Sequence, residues 1–163
     1  MDRSDKMNIK YIQGDATNPL GDNHKVIVHI CNDLGKWGKG FVLAISKKWK
    51  LPETSYKNAF SAEPTPNLGD VQFIEVEPDT TVANIIGQHG VYSKRSKQKE
   101  PPIRYEAVRK GLEKVAIFAK SKNASVHMPR IGCGLAGGTW EEIEPIILTT
   151  LIHADIEVLV YDL

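Results

Sequence analysis

Apolar and polar residues alternate with a changing period along the chain, and the changes mark its elements. Lys25–Cys31 is a short, β-branched, nearly continuous apolar run, the pattern of a strand buried on both faces. His29 inside it reads as a core histidine with a satisfied hydrogen bond. Asn8–Gln13, Val71–Glu77, Thr80–Ile86, Ala124–Met128 and Ile156–Tyr161 read as further strands, with Pro78-Asp79 turning the chain between two of them. Helical spacing begins at Phe41, Val42, Ile45 and Trp49 and predicts a helix to about Lys50, before Pro52, with Lys47, Lys48 and Lys50 on a solvated face. Glu53–Gly69 turns irregular towards its end. Ile103–Lys122 carries Val108, Leu112, Val115, Ala116 and Ala119 on one helical face. Thr139–His153 is helical, and Thr139-x-x-Glu142 reads as a capping box. Pro145 lies too deep for a first turn and shifts the expected helix start towards Glu144. Strands alternating with helices predict an α/β sandwich.

Composition narrows the picture. A chain of 163 residues fits one domain, residues 7–163, with Met1–Lys6 a flexible N-terminal segment. A net charge of +1 argues against a general nucleic-acid or membrane surface, and no apolar run approaches the roughly 20 residues of a membrane span. The basic stretch Tyr92–Pro102 reads as a mobile loop. Cys31 and Cys133 are the only cysteines and suggest a reduced, cytoplasmic compartment without disulfides. No His/Cys cluster has metal-ligand spacing, so no metal and no cofactor is expected.

The chemistry concentrates at strand ends. Pro129-Arg130-Ile131-Gly132-Cys133-Gly134-Leu135-Ala136-Gly137-Gly138 places four glycines between a strand and a helix, where peptide N–H groups and a helix N-terminus can surround an anion. No Lys follows as in a P-loop. Gly132, Gly134 and Gly137 match G-x-G-x-x-G, but near the C-terminus, where a dinucleotide fold would not open. Asn32–Phe41 is a second glycine-rich loop after a buried strand, and Gly14–Thr17 and Gly87–Gly90 are two more loops of small or polar residues. Ligands of such sheets bind where strand ends converge. A ligand with two phosphates and hydroxyl-bearing groups fits a rim that also carries the acids Asp15 and Asp33.

Three of these stretches resemble the macrodomain family: Gly14-Asp15-Ala16-Thr17, His29–Asp33 with Gly38-Lys39-Gly40, and Pro129–Gly138. The resemblance covers Asn8–Leu163 and is closest to the branch of the terminal ADP-ribose protein glycohydrolase and the chromatin-remodeller macrodomain, whose bacterial members share the Met128–Gly138 run. It implies a bacterial, monomeric protein with a three-layer α/β/α sandwich, a mixed, mostly parallel sheet, and ADP-ribose across the sheet edge. Carried over by position, Asp15 accepts from the adenine amino group, and the backbone of Ala16 and Thr17 lies beside the base. Gly38, Lys39, Gly40, Phe41 and Val42 wrap the pyrophosphate and distal ribose from one side, and the loop from Pro129 and Arg130 through Ile131–Gly138 wraps them from the other.

The resemblance breaks at the glycohydrolase's catalytic lysine and aspartate, whose positions hold Gln88 and Ala136. A lysyl intermediate is thereby excluded at Gln88. Asn32, Asp33, Gln88 and His89 are the remaining candidates beside the distal ribose, with Asp33 orienting a water and His89 exchanging a proton. A turn or cap role for Asp33 and a plain loop role for His89 stand beside these readings. Three functions stay open: hydrolysis of ADP-ribosyl esters, either on acidic side chains of mono-ADP-ribosylated proteins or on acyl-ADP-ribose; non-catalytic reading of ADP-ribose; and ADP-ribose 1″-phosphate phosphatase activity.

Overall fold

A computed structural model describes residues 8–91 and 100–163. The expected N-terminal segment Met1–Lys6 and most of the basic Tyr92–Pro102 stretch lie outside the described residues. Six strands form one sheet: β1 (Lys10–Gln13), β2 (Lys25–Asn32), β3 (Val71–Glu77), β4 (Thr80–Gln88), β5 (Ser125–Met128) and β6 (Val158–Asp162), in the order β1-β6-β5-β2-β4-β3. Only the β3–β4 hairpin is antiparallel. The sheet is therefore mixed and mostly parallel, and β1, β6, β5, β2 and β4 all end on one edge.

Alternation along the strands builds three layers. Val26, Val28, Ala83, Ile85, Val126, Met128, Val158 and Val160 face helices α3 (Tyr105–Lys122) and α4 (Trp140–Ile147). Ile27, Cys31, Val82 and Ile86 face α1 (Phe41–Lys48) and α2 (Leu51–Phe60), from which Val42, Ile45 and Tyr56 reach the core. Each fully buried aliphatic side chain in these layers is worth about 1.5–3 kcal/mol over an exposed one.

Two local readings are corrected. Pro52 does not lie in a break after a helix: it sits in the first turn of α2, where its missing N–H costs nothing, and it opens a helix for which the sequence reading named no element. α4 starts at Trp140, with Pro145 inside it and Thr139 making no side-chain cap bond. The Thr139 N–H donates instead to the Tyr105 hydroxyl at 3.1 Å. After Pro145 the helix widens into a π turn, Leu148–Ile152, closed by a His153 N–H bond to the Leu148 carbonyl at 2.9 Å.

A buried polar chain pins the loop between β1 and β2 to the sheet. The Leu20 N–H donates to the Tyr161 hydroxyl at 3.0 Å, so that hydroxyl is free to donate to His127 Nδ1 at 2.7 Å. His127 Nε2 then carries the proton to Ser125 Oγ at 2.7 Å, and Ser125 meets Asn23 on the same loop. Burial, reinforced by the charge of Lys25, holds the His127 pKa down to about 4.

Candidate functional site

Two loops and one helix end form a cradle on the common edge of the parallel strands. One wall is the start of α1, with Gly40 at its N-cap and no acid in its first turn. The other is the loop from Pro129 to Ala136, whose Gly134–Ala136 stretch is a short 3-10 turn. They enclose a cavity of about 380 Å³ lined by Lys39, Gly40, Phe41, Val42 and residues 129–136, and among the described residues no Asp or Glu lines it. Phe41 and Val42 carry first-turn N–H groups that helices leave unpaired. Among the described residues, no backbone carbonyl outside the helices takes the N–H of Gly40, Gly132, Gly134 or Leu135. Gly40 (φ 84°) and Gly134 (φ 72°) hold left-handed backbone, and a Cβ on either projects into open space. A set of donors without a carboxylate is chemistry for an anion.

At the β1 end, Asp15 is exposed while Ala16 and Thr17 are buried. Asp15 Oδ1 accepts from both the N–H and the hydroxyl of Thr17, each at 2.8 Å. The Gly14 N–H donates to the Asp162 carbonyl at 2.8 Å, which fixes this turn beside β6. Asp162 also takes two bonds from Arg130, at 2.8 and 3.0 Å, and the guanidinium lies over Tyr11 and Trp140 at 5.0 and 5.1 Å. The Arg130 hydrogen bonds hold the Asp162 carboxyl below the usual carboxylate range. Arg130 thereby anchors the start of the second loop.

At the β2–β4 end a second cavity of about 570 Å³ continues from the first, sharing Ile30, Lys39, Val42, Gln88 and Leu135. Asn32 and Gln88 are among its lining residues, and Asp33 and His89, which follow them in the chain, are not. Asp33 is not an exposed acid: its side chain is 17% exposed, and both carboxylate oxygens are engaged. Oδ1 accepts the Gly90 N–H at 2.8 Å, and Oδ2 meets His89 Nδ1 at 2.7 Å. The Oδ2 carboxylate oxygen can only accept, so His89 Nδ1 carries the hydrogen in this contact. Gln88 closes β4, and its amide donates to the Gly90 carbonyl at 2.9 Å. Asn32 is buried, and its Oδ1 collects the Leu34 N–H, the Lys36 N–H and the Tyr56 hydroxyl at 2.9, 3.3 and 2.8 Å. That side chain shapes the loop from inside.

Gly38, Lys39, Gly40, Phe41 and Val42 therefore line the cavities together with Pro129, Arg130, Ile131, Gly132, Cys133, Gly134, Leu135 and Ala136. Gly137 and Gly138 lie behind the loop, where their N–H groups brace it against Gly134 and Gly132. Cys31 and Cys133 are free thiols, and burial pushes both above the ordinary thiol range, which disarms them as nucleophiles. No group of three or more His, Cys, Asp or Glu side chains able to hold a metal occurs among the described residues. No helix among them is long and apolar enough to cross a membrane.

Sequence reasoning missed Trp37, whose buried indole N–H bonds the Val42 carbonyl and Ser46 Oγ at 3.1 and 2.7 Å and so fixes the first loop to α1. It also missed Tyr56, which backs Asn32 from the unforeseen α2. A buried aromatic within a glycine-rich loop was the available signal for Trp37. His29 was read as satisfied, but only half of it is: Nε2 meets Asn84 Oδ1 at 2.5 Å, while Nδ1 finds no hydrogen-bond partner among the described residues.

No family model matches the chain. A protein of unknown function from Bacteroides thetaiotaomicron is 58% identical, with a TM-score of 0.92 over 96% of this chain and 99% of that one. A macrodomain protein from Streptomyces coelicolor is 49% identical, with a TM-score of 0.83 over 96% of this chain and 99% of that one. The chain belongs to the macrodomain family. As a macrodomain it is 31% identical to mouse chromodomain-helicase-DNA-binding protein 1-like across 96% of its own length, and it spans 18% of that protein. ADP-ribose 1″-phosphate phosphatase from Lodderomyces elongisporus is 27% identical, matched over 96% of this macrodomain and 100% of the phosphatase. Thermosipho africanus DarTG, solved in complex with ADP-ribose, shares the fold at a TM-score of 0.65 and 17% identity, over 83% of this chain and 37% of that one.

Proposed function

We propose that this macrodomain binds ADP-ribose along the edge from Asp15 to Asp33 and hydrolyses ADP-ribosyl esters, releasing mono-ADP-ribose from acidic side chains of proteins. Relatives named for ADP-ribose 1″-phosphate and solved with ADP-ribose support the ligand class. The observation that carries the reaction is the Asp33–His89 pair, whose chain neighbours Asn32 and Gln88 line the cavity at the β2–β4 end. Both oxygens of Asp33 are engaged, so it acts through His89 and positions that ring. In this reading the His89 ring takes a proton from water as the water oxygen attacks the ester carbonyl. The bond between the acyl carbon and the ribose oxygen then breaks, and the departing ribose oxygen takes the proton back from His89. The products are free ADP-ribose and the side-chain carboxylate. Asn32 and Gln88 support the loops that hold this pair.

A second reading has its own observation. The Gln88 amide is spent on the Gly90 carbonyl and Ala136 has no proton-accepting group, which suits a non-catalytic reader of ADP-ribose.

Incubation with a Glu-mono-ADP-ribosylated protein, followed by mass detection of free ADP-ribose, tests the reading. The wild type is expected to release ADP-ribose without a borohydride-trappable adduct. His89→Ala and Asp33→Ala are each expected to slow release by about 10²-fold or more while ADP-ribose affinity stays within a few-fold. Unchanged turnover in both variants eliminates the pair, and tight binding without release hands the case to the reader. Turnover of ADP-ribose 1″-phosphate instead of the ester assigns the protein with its phosphatase relative.

A further inference from the structure

Residues 101–105 touch both halves of the site and line neither of its cavities. The His89 N–H donates to the Pro102 carbonyl at 2.7 Å, and the Ile103 N–H donates to the Ala136 carbonyl at 3.0 Å. That carbonyl and that N–H belong to one peptide group. The group is trans, so the two bonds point in opposite directions, and one rigid plane joins the end of β4 to the short 3-10 turn of the loop 129–138. The Arg104 N–H bonds the Gly87 carbonyl at 2.9 Å, and Gln88 and Ile103 pair as an antiparallel bridge, which seats the plane on β4.

The Ile103 side chain reinforces that join. It is 5% exposed, and a Cβ built on Gly132 would lie 2.9 Å from its Cδ1 and one on Gly138 3.4 Å from its Cγ2. Ile103 is thus wedged against bare backbone at two points of the loop, and Gly132 also lines the cradle. A Cβ on Gly137 would meet Pro101 at 2.7 Å. Arg104 Nη1 donates to the carbonyls of Pro101, Pro102 and Ile103 at 2.5, 3.2 and 3.0 Å and holds the segment in shape. Contacts this close carry a displacement onward, since a packed interior has little room to absorb it.

We propose that Ile103 is a positioning residue that couples the two halves of the site. An anion seated on the backbone of residues 132–136 sets the Pro102–Ile103 peptide group, and that group sets His89 against Asp33. This rests on the reading in which His89 carries the proton of ester hydrolysis. Binding energy from the phosphate groups is then spent on orienting the proton carrier, and it shows in turnover more than in affinity. A competing route runs through Gln88, which lines both cavities and precedes His89 in the chain. An Ile103 that merely fills the core gives His89 no reason to answer an anion through residues 101–105.

The test is an amide ¹H–¹⁵N spectrum of the wild-type protein titrated with inorganic pyrophosphate. The Gly134 and Leu135 amides are expected to move as the cradle fills, and the His89 amide to move with the same midpoint. In Ile103→Ala the His89 response should fall by about half or more while pyrophosphate affinity stays within about threefold. Ile103→Val, which loses only Cδ1, should fall between that variant and the wild type. In the ester assay Ile103→Ala should lower kcat by about 10-fold or more with KM within about threefold. A still His89 amide beside moving loop amides overturns the proposal. So does an undiminished response in Ile103→Ala, which assigns the route to Gln88; should that variant fail to fold, a wild-type response in Ile103→Val overturns it equally. Loop amides that ignore pyrophosphate remove the anion cradle and this inference with it. A His89 response without ester turnover in the wild type removes the reaction reading and the positioning role together, whereas turnover with a still His89 removes this inference alone.

Discussion

Asp15 spends one carboxylate oxygen on its own turn, through two bonds from Thr17, and Oδ2 has no partner among the described residues. That division separates a structural role from the proposed binding role within one side chain. Asp15→Asn keeps the turn acceptor and replaces Oδ2 by a donor, so it should weaken ADP-ribose by about 1.5–3 kcal/mol, the range for a hydrogen bond to a charged group. Ribose 5-phosphate, which has no adenine, should bind almost unchanged. Equal losses for both ligands in calorimetry would show that Asp15 serves the loop. Asp15 was legible in the sequence because its turn is local. The partnership of Asp33 with His89 was not, since 56 residues separate them and only the parallel pairing of β2 with β4 brings them together. His29 shows the same limit: a buried histidine is visible in a strand pattern, but which nitrogen is satisfied depends on Asn84 across the sheet.

The loop from Pro129 to Gly138 works as an element because Gly132 and Gly134 bring bare backbone to the cavity between its side chains. Gly134→Val fills the open space at that position and opposes the φ of 72°. It should abolish ADP-ribose binding in calorimetry and leave the far-ultraviolet circular dichroism unchanged. Normal affinity in that variant would reduce the loop to a connection. Strand pattern and glycine spacing made this element readable in the sequence. α2 was unreadable for the opposite reason: Pro52 is both a helix stop and a first-turn residue, and only the packing of Tyr56 against Asn32 decides between them. Thr139 likewise carried a cap signature that the Tyr105 hydroxyl overrides.

Across the whole molecule, buried neutral histidines link stability to pH. His29 and His127 have pKa values pushed by burial from 6.5 to about 4. Between these values the unfolded chain binds protons that the folded chain refuses, so stability is complete above about pH 6.5 and falls as pH drops towards 4. Each histidine accounts for about 3 kcal/mol over that window. Urea midpoints measured at about pH 7, 5.5 and 4.5 should decrease stepwise, and a flat profile would contradict neutral burial. The sheet order has a kinetic counterpart. β1 is a four-residue edge strand whose backbone, among the described strands, pairs with β6 alone, Lys10 with Leu159 and Gln13 with Asp162. Asp15 rides on its end, whereas Asp33 and His89 ride on the central strands β2 and β4. A ligand reaching from one to the other acts as a clasp across the sheet, and detachment of β1 must break it. Amide hydrogen exchange at Tyr11 to Gly14 should be faster than along β2 and β4 in the free protein, and ADP-ribose should slow it. Occupancy of the site would then be recorded in the opening rate of an edge strand that meets the ligand only through the turn at its tip.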